Sequence, residues 1–192
     1  MILVFSLSLQ AATQKLLILG DSLSAGYGMQ QQQGWVHLLQ QQLEKNQSSW
    51  TLINASISGE TTAGGLARLP ELMTQHQPQA VLIELGGNDG LRGFPTPKIT
   101  ANIQMMIDEI NKHQATPILM QIRIPPNYGP RYTQQFVDLY PALAEKNKIV
   151  LWPFFMDQIA IDPQLMQADG IHPNVDAQPI IRDLILPLLQ KM

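Results

Sequence analysis

Cysteine is absent from the 192-residue chain. Its absence removes disulfide frameworks, thiolate metal sites and cysteine nucleophiles together, and fits any redox compartment. Charge is scarce too: Asp, Glu, Lys and Arg make up 14% of the residues, 12 basic against 15 acidic, for a formal net charge of -3. No run of Lys or Arg supplies the cation surplus that neutralising a phosphate backbone requires, so nucleic acid is not an expected partner. Long apolar runs are also missing. No segment reaches the roughly 18 apolar residues of a membrane-spanning helix, and no integral span is expected. What remains is a chain that is 45% hydrophobic. That is too apolar for disorder, and at roughly 100 to 200 residues per domain the length suits one folded domain.

The first nine residues, MILVFSLSL, are apolar and too short to cross a bilayer, and Gln10, Ala11 and Ala12 follow them. This resembles the apolar region and cleavage site of a secretory signal, although no Lys or Arg precedes it; the alternative is a buried first strand. The expected division is therefore a signal-peptide remnant over 1–12 and one domain over 13–192, with a periplasmic or secreted destination.

Short apolar runs alternate with amphipathic stretches over the rest of the chain. Lys15 to Leu19, Trp50 to Ile53, Ala80 to Leu85, Pro117 to Ile122 and Ile149 to Trp152 have the length and composition of buried strands. Between them, Trp35 to Lys45, the stretch around Leu66, Leu69 and Leu72, Ile99 to His113, Thr133 to Asn147 and Asp176 to Gln190 show helical spacing. Strands alternating with helices imply one-handed crossovers and a three-layer α/β/α sandwich around a five-stranded, mainly parallel sheet. Pro187 lies inside the last helical pattern and is expected to end or kink it.

In such sheets ligands bind beyond the carboxyl ends of the strands, and the unusual residues fall in those loops. A phosphate cradle is disfavoured by pattern. Gly20, Gly26 and Gly28 do not make G-x-G-x-x-G, and no Gly-Lys-Ser/Thr follows. His37, His76, His113 and His172 show no paired-ligand spacing, so no metal is expected, and the first three read as ordinary helix residues. Ser22 is different, because a tight glycine-flanked turn after a strand exposes its hydroxyl at the mouth of the sheet. A hydroxyl needs a positioned base. Asp169 and His172 are close enough in sequence for the carboxylate to hold the ring tautomer that leaves the other nitrogen free. Asn88, after the third strand, and Gly59, after the second, offer an amide and an unhindered backbone N–H for an oxyanion hole. Asp21 is expected to brace the turn through backbone N–H groups. Glu84, inside the third strand, needs an internal partner or a proton.

The blocks GDSLSAGYG from Gly20, NASISGET from Asn54, LGGNDGLRG from Leu85 and DGIHPN from Asp169 resemble, in order and interval, the four blocks of the SGNH, or GDSL, hydrolases. The resemblance implies a flavodoxin-like SGNH hydrolase domain over 13–192. It makes Ser22 the nucleophile, Asp169 and His172 its partners, and the Ser22 N–H, the Gly59 N–H and the Asn88 side chain the oxyanion donors. It also implies that no cofactor is needed, and that the partner is a small acyl ester or thioester acted on by a monomer. Fatty acyl thioesters, lysophospholipids and aryl esters are the implied substrates. The rivals are a carbohydrate or peptidoglycan O-acetylesterase on the same fold and a non-catalytic ligand-binding protein. Leu91 and Phe94 after the third strand, with Ile124, Pro125 and Tyr128 after the fourth, either hold an acyl tail or simply cover the sheet end. Met156 and Met166 are further groove candidates, whereas Met105, Met106 and Met120 suit core packing.

Overall fold

Residues 13–192 are described by a computed structural model; residues 1–12, with the expected export signal, lie outside them. The apolar runs form β1 (Gln14–Gly20), β2 (Trp50–Asn54), β3 (Ala80–Glu84), β4 (Thr116–Met120) and β5 (Val150–Trp152). Every pairing is parallel, in the order β2-β1-β3-β4-β5. Inner strands of a parallel sheet are covered on both faces, which is why β1 and β3 carry unbroken apolar runs. Leu16 to Leu19 and Ala80 to Ile83 are all buried.

The covering helices are α1 (Ser22–Ala25), α2 (Trp35–Lys45), α3 (Thr62–His76), α4 (Gly87–Leu91), α5 (Thr96–Lys112), α6 (Pro130–Asn147), α7 (Met156–Ile159) and α8 (Ala177–Leu189). Each long helix buries one stripe; on α5 it is Ile99, Ile103, Met106, Ile107 and Ile110. From β1 the chain steps outward to β2, then passes back over β1 to β3, β4 and β5. With crossovers of one hand, that reversal sends α2 to the opposite face from α3, α5 and α6. Accordingly α2 packs on α8, while α3 packs on α5 and α5 on α6. The crossovers leaving β1 and β3 thus diverge, and a crevice opens between the carboxyl ends of these two strands.

Two boundary expectations are corrected. Helices α5 and α6 begin a turn earlier than the apolar periodicity suggests, because Pro97 and Pro130 occupy first-turn positions where a missing N–H costs nothing. Of the two outcomes expected at Pro187, an end or a kink, the end does not occur there: α8 continues to Leu189. Like Pro70 in α3 and Pro141 in α6, Pro187 is exposed, so water can satisfy the carbonyl that its ring leaves unbonded.

Candidate active site

Ser22 is the first residue of α1, directly after the carboxyl end of β1. Asp21 caps this single turn, its Oδ1 accepting from the Leu23 N–H at 3.1 Å. Gly26 closes it at φ +74°, where a side chain would be strained. The expected bracing role of Asp21 is therefore seen, and it has a second arm: Asn88 Nδ2 donates to Asp21 Oδ2 at 3.2 Å. Burial pushes the Asp21 carboxyl up to about 6, opposed chiefly by the Leu23 N–H.

His172 arrives from the other end of the chain on a loop built by short-range hydrogen bonds. Asp169 Oδ1 accepts from the Ile171 and His172 N–H groups at 2.9 and 3.0 Å, an Asx-type turn helped by Gly170 at φ +67°. Asn174 closes the loop by accepting from the Asp176 and Ala177 N–H groups at the start of α8. The result is a continuous relay. His172 Nδ1 lies 2.6 Å from Asp169 Oδ2, and His172 Nε2 lies 2.9 Å from Ser22 Oγ. The His172 N–H, then its ring, then the Ile171 N–H hold the Asp169 carboxyl down at about 2. An ionised Asp169 only accepts, so the ring proton belongs on Nδ1 and the Nε2 lone pair faces the hydroxyl.

A cavity of about 690 Å³ opens over this relay, within the range of small-molecule sites. Ser22, Asn88 and His172 line it, as do Leu91, Ile124, Pro125, Tyr128, Met156 and Met166. The Tyr128 hydroxyl donates to the Leu91 carbonyl at 2.8 Å, joining the loops after β3 and β4 into one wall. Phe94, expected either in the groove or as cover for the sheet end, is not among the lining residues. Gly93, at φ +67°, turns the chain so that Phe94 packs against the core, with the Lys98 ammonium 5.8 Å from its ring centroid. Gly59 stands exposed after β2 at φ +81°, outside the lining set, and its carbonyl accepts from Arg92. Met106 and Met120 are core residues, while Met105 is exposed. Among the described residues, no cluster of three or more His, Asp or Glu side chains is placed to hold a metal ion.

Three supports escaped sequence reasoning. Buried Asp89 accepts from the Thr62 hydroxyl at 2.6 Å and the Thr62 N–H at 2.9 Å, and Asn102 donates to the same hydroxyl, so α3, α4 and α5 meet directly behind Asn88. Tyr27 lies against the His172 ring, centroids 4.3 Å apart. Glu84 finds the partners that its sequence position could not name: Ser24 Oγ donates to its Oε2 at 2.8 Å and the Asp21 N–H at 3.3 Å. Burial, reinforced by the Asp21 charge, pushes Glu84 well above the usual carboxylate range. A carboxyl inside a strand was the available signal for this last group; neither of the others had one.

A parallel α/β sandwich carrying a serine, a histidine and an aspartate in hydrogen-bonded series at its switch point has the layout of a serine hydrolase. The chain belongs to the GDSL-like lipase/acylhydrolase family, whose sequence model matches residues 18–178. It is 50% identical to an arylesterase of Vibrio mimicus over 100% of this chain and 96% of that protein. With thioesterase 1/protease 1/lysophospholipase L1 of Escherichia coli K12 it shares 51% identity over 95% of this chain and 86% of the relative. Among solved structures, the psychrotrophic esterase EstA from Pseudoalteromonas sp., inhibited by monoethylphosphonate, superposes with a TM-score of 0.91 at 49% identity. That superposition covers 93% of this chain and 97% of the other.

Proposed function

We propose that the protein is a serine esterase and thioesterase that hydrolyses fatty acyl esters and thioesters, lysophospholipids and aryl esters among them, through an acyl-enzyme intermediate. Ser22 Oγ attacks the carbonyl carbon while His172 Nε2 takes its proton, and Asp169 stabilises the imidazolium that results. The developing oxyanion is met by the Ser22 N–H and by the Asn88 amide N–H that does not face Asp21, with the Gly59 N–H, outside the cavity lining, as the third donor that the family resemblance implies. Collapse of the tetrahedral intermediate expels the alcohol or thiol with the proton from His172. Water, deprotonated by the same nitrogen, then releases the acid.

The observation that carries this reading is the uninterrupted series from Asp169 through His172 to Ser22, opening onto a cavity walled by Leu91, Ile124 and Tyr128. The cavity wall of Leu91, Ile124, Pro125 and Tyr128 is mostly apolar, which suits an acyl chain better than the hydroxyls of an acetylated sugar. The test is labelling with an organophosphonate followed by peptide mass spectrometry. The adduct is expected on Ser22 alone and should vanish in Ser22→Ala; an adduct on Ser24 or Ser58 would overturn the assignment. Turnover of Ser22→Ala or His172→Ala is expected to fall at least about 10⁴-fold, with little further loss in the double variant. Export, read from the apolar run before Ala11 and Ala12, is tested by sequencing the natural product: an N-terminus near Thr13 outside the cytoplasm supports it, and an intact Met1 in the cytosol refutes it.

A further inference from the structure

The one-turn helix that carries Ser22 is too short to hold its own shape, since a single turn orders several residues for one hydrogen bond. Its position must come from outside, and the group beneath it is Glu84. The register of β1 and β3 sets Gly20 opposite Glu84, and the glycine makes room for the carboxyl. A Cβ on Gly20 would stand 2.5 Å from Glu84 Oε2 and 2.8 Å from Ser56 Oγ. From that slot Oε2 accepts from Ser24 Oγ and from the Asp21 N–H, gripping the turn on both sides of Ser22. Glu84 Oε1 has no hydrogen-bond partner among the described residues, so the carboxyl's bonding is directed wholly at the turn.

We infer that Glu84 is a positioning residue, its buried carboxyl setting the height and direction of Ser22 through the Ser24 hydroxyl and the Asp21 N–H. An apolar side chain would occupy this wholly buried place at lower desolvation cost. What an apolar side chain lacks is the acceptor oxygen. Burial shifts the carboxyl toward its neutral form, which lessens the negative charge placed beside Asp21 while Oε2 remains an acceptor for the turn. Displacing a reacting oxygen by an ångström is enough to lower a rate by about 10²-fold.

This inference rests on Ser22 being the nucleophile, and the same experiment separates the two. The rate of organophosphonate labelling and the kinetics of aryl ester hydrolysis are measured on the full chain carrying Glu84→Gln, Glu84→Leu or Ser24→Ala. Glu84→Leu should slow labelling and lower kcat by about 30-fold or more, with KM within about twofold. Glu84→Gln, which keeps a neutral acceptor, should stay within about fivefold of the parent in both. If Glu84→Leu does not fold, Ser24→Ala carries the decision, with an expected loss of about tenfold in kcat and labelling at unchanged KM. A folded Glu84→Leu that labels at the parental rate overturns the inference, as does a Glu84→Gln no better than Glu84→Leu. So does a Ser24→Ala variant with parental kcat. A parent protein that takes no label at Ser22 removes instead the nucleophile assignment beneath it.

Discussion

Asn88 gives one amide hydrogen to Asp21 at 3.2 Å, which fixes the plane of its side chain and leaves the second hydrogen for the cavity it lines. That second hydrogen meets charge only as the oxyanion forms, so Asn88→Ala should lower kcat by roughly 10² to 10³ with KM nearly unchanged. Buried Asp21 also loses a donor, and stability should drop by about 1 kcal/mol. Steady-state kinetics with thermal unfolding checks both. A large rise in KM at constant kcat would instead make Asn88 a substrate-binding group. Ser22, Asp169, His172 and Asn88 were legible because each lies in a segment beyond a strand end, or in the Asp169–Asn174 loop, whose local residue chemistry is unusual. Asp89, Tyr27 and the partners of Glu84 were not, because each meets its partner only through the fold.

The loops after β3 and β4 show how one glycine sorts neighbouring apolar residues between two roles. Leu91 faces the cavity from the end of α4, and Phe94, just past Gly93, faces the core. Apolar content alone left both residues open to either role; Leu91 lines the cavity, and past the left-handed backbone at Gly93 Phe94 packs on the core. Each methylene in such a groove contributes up to about 0.8 kcal/mol, so kcat/KM should climb with acyl length until the cavity is full. Leu91→Ala should cut the preference for long over acetyl chains by about fivefold, in keeping with the selectivity a few buried methylenes supply. Phe94→Ala should lower the unfolding temperature and leave that preference alone. Measuring kcat/KM from acetyl to palmitoyl esters separates them, and an equal loss of chain preference in both variants would put Phe94 back in the groove.

At the scale of the whole molecule, the buried acids set how stability varies with pH. Asp21 is raised from 3.8 to about 6, so its contribution is fully present below about 3.8 and is lost as pH rises through about 6. Glu84 is displaced in the same direction. Asp169, lowered to about 2, has the opposite sign: it stabilises above about 3.8, and that contribution disappears as pH falls toward 2. The unfolding temperature should therefore be highest in mild acid and decline toward neutrality. For Asp21 the cost of ionisation is of the order of 3 kcal/mol. In Asp21→Asn the decline between pH 4 and 7 should be shallower; parallel curves for variant and parent would show that Asp21 ionises without strain.

The sequence by itself determined the layered parallel sandwich, since runs such as Leu16 to Leu19 are too uniformly apolar for any place but an inner strand covered on both faces. It also marked the candidate site, because Ser22 after a strand, Asn88 behind two glycines and the Asp169–His172 turn are local patterns with local causes. Only the tertiary structure decided what stands behind them. Strand register brings Glu84 under Gly20, packing of α3 against α5 brings Thr62 and Asn102 to Asp89, and the Asp169–Asn174 loop brings His172 onto Tyr27 and Ser22. These contacts join residues far apart along the chain. Their energy is available only once the sheet has closed the intervening loops, so no stretch of sequence carries their signature.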